Sequence, residues 1–124
     1  TPTTTTTAVT NRAIARLIPK HAGAPVPEFV IDKGSAIVGI FDPDTGPVEI
    51  DLEGFSGDET VSRNHAEIYQ EGASWKVKDL GSTNGGFIKP AGQSRFASRI
   101  TVPTALEAGD ELAIAKVRLL FQTA

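Results

Sequence analysis

The sequence predicts an all-β domain, an antiparallel sandwich or barrel, and three observations carry that expectation. Apolar residues come in short runs, and several alternate with polar residues at period two, the pattern of half-buried strands. Twelve Gly and eight Pro stand among the runs, and with Asp and Asn they mark frequent turns. No segment sustains the apolar period of an amphipathic helix.

The first ten residues, T-P-T-T-T-T-T-A-V-T, hold too few large apolar groups to offset the entropy of ordering them. Residues 1–10 are therefore expected to form a disordered Thr-rich linker, followed by one domain over 11–124. Such a tract usually tethers a domain to something else, and the lack of any Met fits a fragment of a larger protein.

Within the domain, the 12–18 run sets Ala13, Ala15 and Leu17 against Ile14, Arg16 and Ile18. The 28–32 run carries Phe29, Val30 and Ile31, and 36–41 is apolar and rich in β-branched residues. Val48, Ile50 and Leu52 alternate with Glu49 and Asp51. Ala66, Ile68 and Gln70 oppose Glu67, Tyr69 and Glu71, and Trp75, Val77 and Asp79 oppose Lys76 and Lys78. Further strands are expected over 86–89, weakly over 99–102, and over 111–115 and 116–122. Turns separate them: Glu71-Gly72-Ala73-Ser74 suits a hairpin, 42–47 is rich in Asp, Pro and Gly, and Gly109-Asp110 closes a third. Trp75, Val77 and Leu80 are expected in the core, as are Phe41 and Phe55, with an exposed interaction patch the alternative for those two.

Composition narrows the function. A chain of 124 residues with 40% hydrophobic and 22% charged residues suits one soluble domain whose core needs no staples. Zero Cys excludes a disulfide framework, thiol catalysis and Cys-ligated zinc. No apolar run approaches the roughly 20 residues that cross a bilayer, and the start does not resemble a secretory signal. A net charge of −3 lacks the basic surplus that drives nucleic-acid or anionic-membrane binding, so neither is expected of this domain.

The densest polar cluster is Thr60-Val61-Ser62-Arg63-Asn64-His65, followed after two strands by Asp79-Leu80-Gly81-Ser82-Thr83-Asn84-Gly85-Gly86. Both fall in loops, where a rigid sandwich usually carries its binding groups. Hydroxyls, amides and Gly backbone NH groups present donors in excess, which suits an anionic ligand. Other chemistries fit less well. Ser62, His65 and Asp79 suggest a hydrolase triad, yet there is no G-x-S-x-G elbow. Asp42, Asp44, Gly46 and Glu53 match part of a calcium loop, but Pro47 stands where that loop needs Gly. His21 and His65 are the two histidines, and without Cys they make no convincing zinc site. No enzyme, metal or cofactor is expected.

The order of the motifs adds a resemblance. Gly39 ahead of an Asp- and Pro-rich loop, then S-R-N-H, then D-L-G-S-T-N-G, then L-E-A-G-D-E-L-A-I-A resembles the forkhead-associated (FHA) domain, a phosphothreonine-recognition module. The likeness runs over 36–121. The 42–47 loop and the Thr-rich tract also resemble FHA domains of cyanobacterial multidomain proteins, including those linked to filament integrity. The resemblance implies a sandwich of two twisted antiparallel sheets, about eleven strands, with the recognition loops at one end. It implies that Ser62 hydrogen-bonds the phosphate, Arg63 flanks it, Thr83 helps hold the phosphothreonine, and Asn84 binds the peptide backbone just after it. Gly39, His65 and Gly85 are architectural by the same resemblance.

One departure stands out. The family usually carries Arg directly after the first motif glycine, and here Gly39 is followed by Ile40. A hydrogen bond to a charged group contributes roughly 1.5 to 3 kcal/mol, so its loss weakens phosphopeptide binding by about ten- to hundredfold. Arg63 becomes the first candidate cation and Lys89 the second. The expected function is recognition of a phosphothreonine in a partner protein, as in signalling. The alternative is a phosphate-independent scaffold or self-association domain that keeps the FHA frame, with Ile40 as apolar surface for a partner or a second copy. The expected place is the cytoplasmic side, as a domain of a larger, membrane-anchored protein.

Overall fold

The computed structural model of the chain describes residues 15–123 apart from positions 22, 45 and 47. The predicted linker over 1–10 and the boundary at 11 lie outside the described residues. Among the described residues, ten strands form two five-stranded sheets. One sheet holds, in spatial order, β2 (Phe29–Ile31), β1 (Ala15–Pro19), β10 (Val117–Thr123), β9 (Glu111–Ile114) and β7 (Gly86–Lys89). The other holds β4 (Ile50–Asp51), β3 (Ser35–Gly39), β5 (Asn64–Glu71), β6 (Ser74–Asp79) and β8 (Thr104–Leu106). Pairing is antiparallel throughout the described strands except for the short parallel contact of β3 with β4.

Period-two patterning decides which side chains face the core. In β10, Val117, Leu119 and Phe121 are fully buried while Arg118 is exposed. Facing strands supply Val38, Ile68 and Val77 from the opposite sheet, and Trp75 meets Phe121 edge-on at 6.1 Å, joining the two layers. Strand β9 breaks the pattern, with all four residues buried. Leu112 and Ile114 belong to the core, while the Glu111 carboxylate lies within ion-pair distance of Lys20 and Lys89. Those long side chains cover it.

The 71–74 hairpin forms as predicted, with Glu71 opposite Ser74. In the 42–47 turn, the Asp42 carboxylate accepts the Asp44 NH at 2.8 Å, and its carbonyl accepts the Gly46 NH at 2.7 Å. Asp110 likewise clamps its turn, accepting the NH groups of Glu107 and Ala91.

Three expectations need correction. The weak run over 99–102 is not a strand; the strand is Thr104–Leu106, paired with Trp75 to Val77. Ile100 alone of that run reaches the core, and Pro103, which lacks an NH, pushes the ladder beyond it. Leu80 is 37% exposed because it keeps the outward parity of Lys76 and Lys78 on the preceding strand. Phe41 is 44% exposed, whereas Phe55 is buried against Phe29 with ring centroids 5.8 Å apart.

Candidate functional site

His65, the second residue of strand β5, has no exposed surface and joins two loops. Its Nδ1 accepts the Ser62 backbone NH at 2.9 Å, so the ring proton sits on Nε2 and is donated to the Gly85 carbonyl at 2.8 Å. Burial holds the ring's pKa below the usual histidine value, against the opposing pull of the Gly85 bond and the Asp79 charge. The same Gly85 carbonyl accepts the Ala115 NH at 2.9 Å, which ties in the β9–β10 turn. Ser62 meets His65 through its backbone, not its hydroxyl, so the ring is not placed to activate that hydroxyl as a nucleophile.

Two further bridges hold the loops together. The Thr83 NH donates to Ser62 Oγ at 3.3 Å, and Asn84 Nδ2 donates to the Thr60 carbonyl at 2.8 Å. Ser62, Thr83 and Asn84 thus converge at one end of the sandwich, while the Thr83 and Asn84 side chains stay exposed.

Asp79 shapes the 80–85 loop. One carboxylate oxygen accepts the NH groups of Gly81 and Ser82, both at 2.9 Å, and the other accepts the Ser82 hydroxyl. Ser82 Oγ in turn accepts the Gly85 NH at 3.0 Å. Burial disfavours the charged carboxylate, but the bonds from Ser82 and Gly81 outweigh it and hold Asp79 below the usual carboxylate range.

Two glycines are required by geometry. A Cβ on Gly39 would collide with the Arg63 carbonyl oxygen and lie 2.7 Å from its carbon, so the end of β3 can approach residue 63 only without a side chain. Gly85 has φ 81°, and a Cβ there would stand 2.6 Å from Arg99 Nε. Both positions were singled out in the sequence as architectural.

The cations are distributed differently from expectation. Arg63 is 62% exposed at its side chain and pairs through Nε with Asp42 Oδ2 at 3.1 Å. Ile40 is half-buried, packs on the core, and donates its NH to the carbonyls of Ser62 and Arg63. It is therefore not the free apolar surface that the sequence suggested, because strand β3 turns its side chain onto the core's edge. Lys89 is not brought to the site: it lies three residues along β7 from Gly86, about 10 Å at the usual strand rise, paired with Glu111 and set over the Phe96 ring.

Two residues were missed. Arg99 Nη2 donates to the Ser82 carbonyl at 2.8 Å and the Thr83 carbonyl at 3.4 Å, bracing the loop from behind. Lys116 is exposed in the β9–β10 turn, its NH on Thr60 Oγ1 at 3.3 Å. With Thr60, Asn84 and Ala115 it lines an open hollow of about 240 Å³. Neither sits in a local motif, so no sequence signal marks them. Among the described residues no cluster of three or more His, Asp or Glu is arranged to hold a metal ion.

Comparison with known proteins agrees with this geometry. The profile of the FHA domain matches residues 44–115. The glycogen accumulation regulator GarA of Mycolicibacterium smegmatis is 42% identical over 74 residues, 59% of this chain and 41% of that protein. Protein FraH of the cyanobacterium Nostoc is 39% identical over 62 residues, 49% of this chain and 22% of that protein. The chain thus spans well under half the length of these relatives. Among solved structures, Mycobacterium tuberculosis EmbR in complex with a low affinity phosphopeptide superposes with a TM-score of 0.67 at 25% identity, over 88% of this chain and 24% of EmbR. Sandwich topology, the His65–Gly85 brace and a profile match over more than half of the sequence agree: the chain belongs to the FHA domain family of interaction modules.

Proposed function

We propose that this domain binds partner proteins at a phosphorylated threonine and does no catalysis. The observation that carries the reading is the convergence of Ser62, Thr83 and Asn84, held together by the His65–Gly85 bond and the Ser62–Thr83 bond. A phosphothreonine carries about −1.5 to −2 charges and three acceptor oxygens. It meets the Ser62 hydroxyl, the Thr83 loop and the Arg63 guanidinium, which exchanges Asp42 for phosphate. Asn84, exposed beside Thr60, fixes the peptide backbone after the phosphoresidue. The chain then runs into the hollow beside Lys116, which favours an acidic residue there.

Family membership supports this reading, as does the phosphopeptide held by the EmbR structure that shares the fold. The phosphate-independent alternative loses one of its two grounds, since Ile40 is half-buried against the core and not an open patch; the missing arginine at position 40 is the ground that stands. On the same reading the domain is a recognition head on a longer, membrane-anchored protein, on its cytoplasmic side. A cyanobacterial parent fits the likeness to Protein FraH of Nostoc.

The test is affinity for a pool of phosphothreonine peptides with degenerate flanks, set against unphosphorylated copies. Selective retention of phosphorylated peptides supports the reading, and equal binding of both overturns it.

A further inference from the structure

We propose that Asp42 is a built-in competitor for Arg63, so that phosphopeptide binding exchanges one ion pair for another and the resting site is held at low affinity. This rests on the phosphothreonine reading above. Asp42 is not a loosely placed surface acid. One of its carboxylate oxygens is fixed in the turn by the Asp44 NH, its carbonyl by the Gly46 NH, and the other oxygen reaches Arg63 Nε at 3.1 Å. Its side chain is 21% exposed against 62% for Arg63. The backbone therefore sets where the carboxylate stands, and the mobile partner of the pair is the arginine.

The surroundings give this pair weight. Position 40, where the family usually has Arg, holds Ile. Arg99 spends its guanidinium on the carbonyls of Ser82 and Thr83 behind the loop. Lys116 lines the hollow beside Asn84, where the proposed function puts the peptide after the phosphoresidue. Arg63 and Asp42 together contribute no net charge at the phosphate position. An arriving phosphate must take the guanidinium from Asp42 and then sit near the carboxylate it has displaced.

Two consequences follow. Removing the carboxylate charge tightens binding, since the competing pair and the repulsion both vanish; exposed pairs and charges a few ångströms apart put this at about three- to tenfold in Kd. Salt dependence changes as well. Wild type trades one screened pair for another, so its affinity falls only gently with ionic strength, whereas a chain without the Asp42 charge gains a new pair and falls more steeply.

Asp42→Asn is the suitable variant because its side-chain oxygen still accepts the Asp44 NH and keeps the turn. Binding of the degenerate phosphothreonine peptide pool and its unphosphorylated copy is measured by calorimetry at two salt concentrations, for wild type, Asp42→Asn, Arg63→Gln and the double variant. The inference expects three- to tenfold tighter phosphopeptide binding by Asp42→Asn, a steeper salt slope, and most of that gain lost when Arg63 is Gln. Wild type selective for phosphate, with Asp42→Asn unchanged or weaker, overturns the inference alone and makes Asp42 a positioning residue for Arg63. A gain that persists in full without Arg63 also overturns it. If neither protein discriminates phosphate, the phosphothreonine reading fails and the inference falls with it. Should Asp42→Asn not fold, the wild-type salt slope still decides: a steep fall contradicts the exchange.

Discussion

His65 Nε2 stands 2.8 Å from the Gly85 carbonyl oxygen and joins two loops whose sequence positions differ by 20. The ring does two jobs at once, since its Nδ1 also accepts the Ser62 NH. His65→Ala leaves the Ser62 NH without that partner and opens a void, which is expected to cost about 2–4 kcal/mol in urea unfolding and to loosen the recognition loops together.

The same histidine sets a pH window. Its folded pKa is lowered from 6.5, so below about that value the unfolded chain binds the proton more readily than the folded one. Its contribution is complete above 6.5 and is lost as pH falls from there toward the lowered folded value. Asp79, lowered from 3.8, adds a second loss below that pH, because it too is deprotonated more readily when folded. Thermal melts between pH 7.5 and 3 are expected to fall in two steps, and His65→Gln is expected to remove the upper one.

Restoring the family's cation is expected to strengthen the site. Ile40→Arg adds a charge-assisted donor beside Arg63, and tightening of phosphothreonine binding by about ten- to hundredfold is expected in calorimetry. The arginine stem can lie over the core's edge that Ile40 now covers, so the stability loss should stay under about 1.5 kcal/mol. No tightening would mean that residue 40 does not face the phosphate.

Backbone strain at the site gives opposite predictions for two small residues. Ala115 has φ 53°, the left-handed region, in the turn bonded to Gly85. Ala115→Gly is expected to stabilise by about 0.5–1 kcal/mol, the relief of strain exceeding the added unfolded-state entropy. Gly39→Ala is expected to leave little folded protein, because its Cβ meets the Arg63 backbone and not a movable side chain.

Much of this was legible in the sequence, and the reason is local. Strand β7 matches its predicted 86–89 span, and β10 and β6 show the alternation that the sequence displays, since side-chain parity is a property of neighbouring residues. The motif residues Ser62, His65, Asn84 and Gly85 were legible because they fall in two short contiguous motifs, S-R-N-H and D-L-G-S-T-N-G, whose order carries the family resemblance. Arg99 and Lys116 were not, because they act across separations of 17 and 56 residues and belong to no pattern. Leu80 and Ile40 were assigned by residue type alone; Leu80 faces out by parity, while Ile40 turns in where β3 leaves the sheet. The Asp42–Arg63 pair likewise joins a turn and a loop that only the folded sheet brings together.

The central claim is that Ser62, Arg63, Thr83 and Asn84 read a phosphothreonine. Its most direct test is calorimetric affinity of wild type, Ser62→Ala and Asn84→Ala for a phosphothreonine peptide selected from the degenerate pool, against its unphosphorylated copy. The account predicts selective binding by wild type, weakened about ten- to hundredfold by Ser62→Ala and at least severalfold by Asn84→Ala. Equal affinity for both peptides, or variants that bind as tightly as wild type, would contradict it.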